Sequence, residues 1–262
     1  SPGFARGFSL VELMVSMAIG LVILGALVAL FVSTSGSNRE MARANSLIEN
    51  GRLGMQLLES DVAHAGYWGG HIPEYDDLTL PGNPTDAPTA VPDPCLPYTV
   101  DDWDAAYIRN MLAIPIQVYE EPSVCAGIVD SQQDGTDILV VRHAELCVPG
   151  AATGAGNCES DLPAGRLYLQ VSRCLADLAP YVFGTADITL LQRNCVAAAE
   201  KRKFISSIYY VRDYAVTPGD GIPTLMRSQF DLDGTLAHQP AVPLIEGIEG
   251  FHVEIGVDNV SK

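Results

Sequence analysis

The chain has 262 residues, 48% of them hydrophobic and 18% charged, with 32 acidic against 15 basic side chains and a net charge of −17. That apolar fraction excludes disorder as a description of the whole chain, and the length admits a domain with a real core. A charge this negative argues against nucleic acid as a partner, because phosphate contacts need a surplus of Lys and Arg.

From Phe8 to Asn38 there is one ionisable side chain, Glu12, and Leu13–Val32 is an uncharged run of twenty residues. As a helix this run is long enough to cross ~30 Å of hydrocarbon. It exceeds an ordinary signal-peptide core, usually ~7–15 residues, and no A-x-A cleavage site follows it, so it is expected to stay in the mature protein. Arg6 precedes the run and Arg39 follows it, which leaves positive-inside counting almost silent on orientation. A carboxylate in such a setting costs on the order of 2.5–3.5 kcal/mol at the membrane centre and somewhat less near the interface. Glu12 therefore needs a partner, and the helix offers no cation within one turn. Cleavage after Gly7 would create one, the α-amine of Phe8, within reach of its own Glu12 or of a neighbouring copy's.

The segment Gly7-Phe8-Ser9-Leu10-Val11-Glu12-Leu13, followed by an apolar helix, resembles the class III signal of type IV pilins and type II secretion pseudopilins. The resemblance implies that a prepilin peptidase cuts between Gly7 and Phe8 and methylates the new Phe8 amine. It also implies that Glu12 pairs with a neighbouring subunit's N-terminus during assembly. Ser1–Gly7 would be the leader; it begins without Met, so further natural sequence is expected before it.

No proline occurs between Gly3 and Ile72, whereas seven occur from Pro73 to Pro97. A helix is therefore expected to run past the membrane and to end near 64–70. In its outer half Met41, Ala44, Ile48, Gly51, Met55, Leu58 and Val62 recur at spacings of three and four, predicting one apolar face against a globular domain. The stretch from Asn50 to Gly69, with its ending Asp61-Val62-Ala63-His64-Ala65-Gly66-Tyr67-Trp68-Gly69, resembles PilW-type minor pilins. The J-type pseudopilins of type II secretion have a related pattern. Tyr209–Arg212, Ile222–Arg227 and Leu244–Asp258 resemble the family's late hairpin and terminal strand more weakly.

The expected division is a leader over 1–7, a transmembrane half-helix over 8–33 and an amphipathic half over 34–66. A periplasmic domain over 67–262 follows, with an acidic, proline-rich surface loop over 73–104. From Glu59 to Asp137 there are fifteen acidic residues and one basic one, Arg109, so −14 of the −17 lies there. A solvated acidic surface is the expected reading. Asp137–Arg142, Arg166–Ser172, Phe204–Arg212 and Thr224–Phe230 read as strands, with turn chemistry at 217–221 suggesting a hairpin. Phe251, Val253, Ile255 and Val257 alternate with polar or small residues, which predicts a half-buried strand. The fold class is thus α+β and pilin-like: a long N-terminal helix packed on an antiparallel sheet.

Six cysteines, Cys95, Cys125, Cys147, Cys158, Cys174 and Cys195, lie in the middle of the chain with no C-x-x-C and no zinc-finger spacing. They fit disulfides in an oxidising compartment, and so place the C-terminal bulk outside the cytoplasm. Spacing does not choose among the fifteen possible pairings; sequential pairing is the expectation carried forward. No metalloprotease, nucleophile-elbow or P-loop motif occurs, and the five histidines are scattered. Asp231–Gly234 and Asp130–Asp137 look like fragments of calcium loops, but Val242 stands where an EF-hand needs Glu, so turn-forming Asp-Gly is the expected role. No metal, cofactor or enzymatic activity is expected.

What the resemblance implies is a minor pilin that joins other minor pilins and the major pilin in a tip or priming complex. Its other partners would be the prepilin peptidase, the inner membrane before assembly, and a tip adhesin. The alternatives are a J-type pseudopilin and, in another class, a membrane-anchored periplasmic binding domain.

Overall fold

A computed structural model describes residues 9–74, 86–120, 122–148, 164–186 and 188–256. Gly7, Phe8, Cys158, Val257 and part of the acidic loop lie outside the described residues. The chain divides into two compact units, Ser1–Gly51 and Arg52–Lys262.

Helix α1 spans Leu10–Val62, 53 residues without a proline. Its first turn forms as the Glu12 and Leu13 amides donate to the Ser9 carbonyl at 3.0 and 3.1 Å. In the first unit the apolar side chains face outward: Leu21 is 69% exposed, Val22 73% and Phe31 73%. Ser16, Thr34 and Ser46 satisfy their hydroxyls on the carbonyls four residues back, at 2.6, 2.8 and 3.1 Å.

The second unit begins with the last turns of α1 and continues into an eight-stranded antiparallel sheet. Its strands are β1 Ile116–Tyr119, β2 Ile138–Ala144, β3 Tyr168–Val171 and β4 Tyr181–Gly184, then β5 Lys201–Arg212, β6 Thr224–Asp233, β7 Thr235–His238 and β8 Val242–Glu246. Strand β5 is the hub. It pairs with β2 over Phe204–Tyr209, with β3 over Lys201–Lys203 and with β6 over Ser207–Arg212. Strand β2 beside it is buried at every position, with Ile138 and Val140 packed in one apolar cluster and Leu139 and Val141 in another.

The face of α1 that meets the sheet differs from the apolar stripe read in the sequence. Leu58 of that stripe does face it, joined by Gly54 and, just past the helix, by Ala65, whereas Met55 is 67% exposed. Gly54 is the reason. A β-carbon there would sit 3.4 Å from Ile245 and 4.0 Å from Leu225, so a residue without a side chain lets the helix backbone approach β8 and β6. Leu58 and Ala65 then pack on Leu139, Val141 and Tyr209.

The four strands read from the sequence are present as β2, β3, β5 and β6, and the 217–221 turn lies in the β5–β6 connection. The terminal segment departs from expectation. Phe251 and Val253 are half-buried between exposed neighbours, but 251–256 forms no strand, and Ile255 is 60% exposed. The Asp137 amide donates to the Phe251 carbonyl, and the Val253 amide donates to Asp137 Oδ2, at 2.8 and 2.7 Å. Asp137 thus occupies the amide that a second strand-type bond would need.

The described part of the acidic loop is tied down rather than merely solvated. Helix α2, Ala105–Ala113, follows it, capped by Asp104, whose carboxylate accepts from the Tyr107 amide at 2.7 Å. Asp93 Oδ1 accepts from the Cys95 amide and Asp102 from the Thr99 hydroxyl. These carboxylates organise local turns, which is work that short acidic side chains do well. Gln117 donates to the Pro92 carbonyl at 2.8 Å, and Tyr98 donates its amide to the Leu236 carbonyl at 2.8 Å. Trp103, 5% exposed, sits within 6 Å of the rings of Tyr98, Tyr107, Phe183, Phe204 and Phe230.

Disulfides join Cys95 to Cys125 and Cys174 to Cys195. Cys147 is also disulfide-bonded.

Candidate assembly site

Glu12 lies in the first turn of α1 and is exposed. Among the described residues no cation pairs with its carboxylate. A carboxylate suits a helix N-terminus, where unpaired amides and the helix dipole favour negative charge. What surrounds it is apolar: Leu10, Leu13, Met14 and Val15 are all more than half exposed. The most apolar stretch of the helix is wholly unburied among the described residues and is long and apolar enough to cross a membrane. Apolar surface on this scale finds its burial in lipid or in other helices, not in water.

The outer end of α1 carries another carboxylate, this one half-buried. Asp61 Oδ1 lies 2.9 Å from His143 Nε2 on β2, and Asp61 Oδ2 accepts from the Tyr209 hydroxyl on β5 at 2.9 Å. His143 Nδ1 lies 2.9 Å from the Ala144 carbonyl and Nε2 faces Asp61; both partners are acceptors, so both ring nitrogens donate together only when the ring is protonated. Burial alone would raise the Asp61 carboxyl; the hydrogen bonds from His143 and Tyr209 outweigh it and hold the group below 3.8. Burial likewise works against charge on His143, but the Asp61 bond prevails and raises it above 6.5. The Tyr209 phenol is pushed up to about 12, by burial first and by the Asp61 charge second.

Beyond Asp61 the chain turns sharply. Gly66 has φ +75°, and a β-carbon there would come 3.2 Å from Pro115. The Gly66 amide donates to the Arg142 carbonyl, the Ala144 amide to the Tyr67 carbonyl, and the Trp68 indole to the Leu112 carbonyl at 3.0, 2.7 and 3.0 Å. Trp68 is 1% exposed and stacks on Phe204. Each part of the Asp61–Gly69 ending thus fastens the end of the helix to the sheet domain. Sequence reasoning singled out this segment as a family signature but missed the Asp61–His143–Tyr209 cluster. Its members are 82 and 148 residues apart from Asp61, and no local pattern marks them.

The other candidates are dispersed. His64 bonds the Ser60 carbonyl and lies 6.0 Å from the His143 ring, whereas His71 packs on Tyr181 at 4.6 Å. Among the described residues no group of three or more His, Cys, Asp or Glu side chains is placed to hold a metal ion. Asp231 forms ion pairs with Arg166 and Lys203 at 3.2 and 3.0 Å, and Gly234, at φ +72°, turns β6 into β7.

Residues 4–28 match the family model described as the prokaryotic N-terminal methylation motif. The match supports a type IV pilin-like protein, a class that is structural rather than enzymatic, and one that assembles with other pilins after prepilin peptidase processing. Together with the exposed apolar helix it points to membrane anchoring. No curated protein and no solved structure matches the chain.

Proposed function

We propose that this chain is a minor pilin of a type IV pilus, of the PilW type, acting in the tip or priming complex. The observation that carries the reading is Glu12, a single carboxylate in an exposed apolar helix, placed five residues after the Gly7–Phe8 junction inside a methylation motif. The prepilin peptidase cuts after Gly7 and the Phe8 amine is methylated. The subunit waits in the inner membrane with its domain in the periplasm. Glu12 then pairs with the Phe8 amine of a neighbouring subunit, in surroundings where a charge pair is strong because water is excluded. Only an in-register neighbour satisfies both charges, so pairing selects correct addition, and the apolar helix exchanges lipid contacts for helix contacts.

Glu12→Ala tests this directly. Surface pili and twitching are expected to be lost while the protein stays in the membrane at its normal level. Unchanged piliation would contradict the pairing mechanism. A second reading, a J-type pseudopilin, is favoured by the same motif, which both systems share. Deleting the gene separates them: loss of pili marks the first, and loss of exoprotein secretion with normal pili marks the second.

A further inference from the structure

A cleft of about 290 Å³ opens in the domain, lined by Gly69, Leu169, Val171, Arg173, Gln192, Arg193, Ala199, Glu200 and Arg202. It gathers three of the 15 basic side chains of a molecule whose net charge is −17. Their bonding states differ. Arg202 is committed: it donates to the carbonyls of Glu145 and Leu146, pairs with Glu200 at 2.8 Å and lies over the Tyr67 ring. Arg173 and Arg193 are exposed, and no described residue takes a hydrogen bond or ion pair from either guanidinium. Among the described residues, one carboxylate thus lines a cleft with three guanidiniums, two of which have open donors.

The frame that holds these two is rigid. Gln170, 0% exposed, donates to the Ala199 carbonyl and accepts from the Leu190 amide, both at 2.7 Å. Backbone bonds between Leu190 and Ala199 and between Gln192 and Ala197, each 2.8 Å, make residues 190–199 a small hairpin. Its tip, Cys195 at φ +53°, is clasped to Cys174. Arg173 precedes Cys174, and its amide donates to the Leu191 carbonyl at 3.0 Å; Arg193 lies two residues before Cys195. The disulfide therefore fixes the two backbones that carry the open guanidiniums. Asp177, the nearest acidic side chain on this loop, is spent on the Ser172 hydroxyl and the Leu191 amide at 2.6 and 2.8 Å. On the other wall, Gly70 has φ +96° and would place a β-carbon 2.5 Å from Arg173 Nη2. The floor of Leu169, Val171 and Ala199 is apolar, and the clasped loops carry Leu175, Leu178 and Val196 at 103%, 104% and 82% exposure.

We propose that this cleft docks an acidic, partly apolar peptide segment of a partner protein, with a carboxylate held between Arg173 and Arg193. Charge complementarity selects the carboxylate, for which a guanidinium offers paired donors. The volume lies just below the usual small-molecule range of about 300–1,000 Å³, which suits one inserted side chain of a segment rather than an extended glycan. The apolar floor and the exposed leucines select the neighbours of that side chain. The proposal does not rest on Glu12 pairing or on filament assembly.

The test uses the full chain in detergent and a labelled peptide alternating Glu and Leu, with its Gln-for-Glu counterpart and inorganic phosphate as comparisons. Saturable binding of the Glu peptide is expected, weaker by about tenfold or more for the Gln peptide and at raised salt. R173E/R193E should lose about tenfold or more, R173K/R193K should retain most of the binding, and R43E, on the helix, should change nothing. Both cleft arginines are exposed and unbonded, so the variants should fold; R173Q/R193Q gives a milder second reading. Equal binding by R173E/R193E, no binding by the unaltered protein, or competition by phosphate at peptide-like concentrations would overturn the proposal, the last by marking a free-anion pocket.

Discussion

Leu21, Val22 and Phe31 on α1 are 69–73% exposed, whereas Val140, Val141 and Val211 in the sheet are 0% exposed. The same residue types thus meet opposite fates within one chain. In the domain the sheet, the aromatic cluster around Trp103 and the disulfides supply the burial that apolar side chains require. Among the described residues of the first unit these side chains stay exposed, which suits lipid or other helices. Carboxylates divide in the same way. Asp61 is surrounded by partners from its own chain, and Glu12 has none among the described residues. The contrast separates side chains that hold the subunit together from side chains that await other molecules.

Substitutions in the domain should therefore register as stability and substitutions in the helix as assembly. The largest loss is expected for Trp103→Ala, which removes the centre of the aromatic cluster and should cost about 3–5 kcal/mol in denaturant unfolding. Trp103→Phe should cost far less, because the buried indole nitrogen has no hydrogen-bond partner among the described residues. Asp61→Ala comes next, at about 2–4 kcal/mol, since it strands His143 and the Tyr209 hydroxyl. If it left the midpoint unchanged, the helix end would not be latched by this cluster.

Protonation sharpens the point. His143 is raised from 6.5, so its contribution is full below that value and fades as pH rises through the raised one. Asp61 is lowered from 3.8, so its contribution is full above that value and fades as pH falls through the lowered one. The difference between the unaltered protein and Asp61→Asn should accordingly be greatest from about pH 4 to 6.5 and shrink in alkali. A difference independent of pH would mean that the pair bonds without charge. A smaller effect, about 1 kcal/mol, is expected for Asp104→Ala at the α2 cap. Gly54→Ala should be the mildest, near neutral or slightly stabilising, because the added carbon makes an ordinary 3.4 Å contact and favours the helix. Gly54→Leu should instead push α1 off Ile245 and destabilise the domain.

What could be read from the sequence was whatever repeats or runs locally. The long helix announced itself by its apolar content and its lack of proline, and β2, β3, β5 and β6 by bounded β-branched and aromatic runs. Strands β1, β4 and β7 are no shorter than β3 but adjoin or end on Pro115, Gly184 and Gly234, which read as breaks. Helix α2 was hidden because its Asp104 cap reads as part of the acidic loop. The stripe on α1 is right at Leu58, which packs on the sheet, and wrong at Met55; it also leaves out the small Gly54 and the polar Asp61. Clustering of Asp61 with His143 and Tyr209, like that of Arg173 with Arg193 and Arg202, arises from strand register and loop closure, which no local window contains.

If the apolar helix begins at a newly made, modified end, as proposed, the N-terminal peptide of the protein purified from its native membranes will show it by mass. That peptide should start at Phe8 and bear one added methyl group. A peptide that still contains Gly7, or one that starts elsewhere within the apolar run, would contradict the proposal.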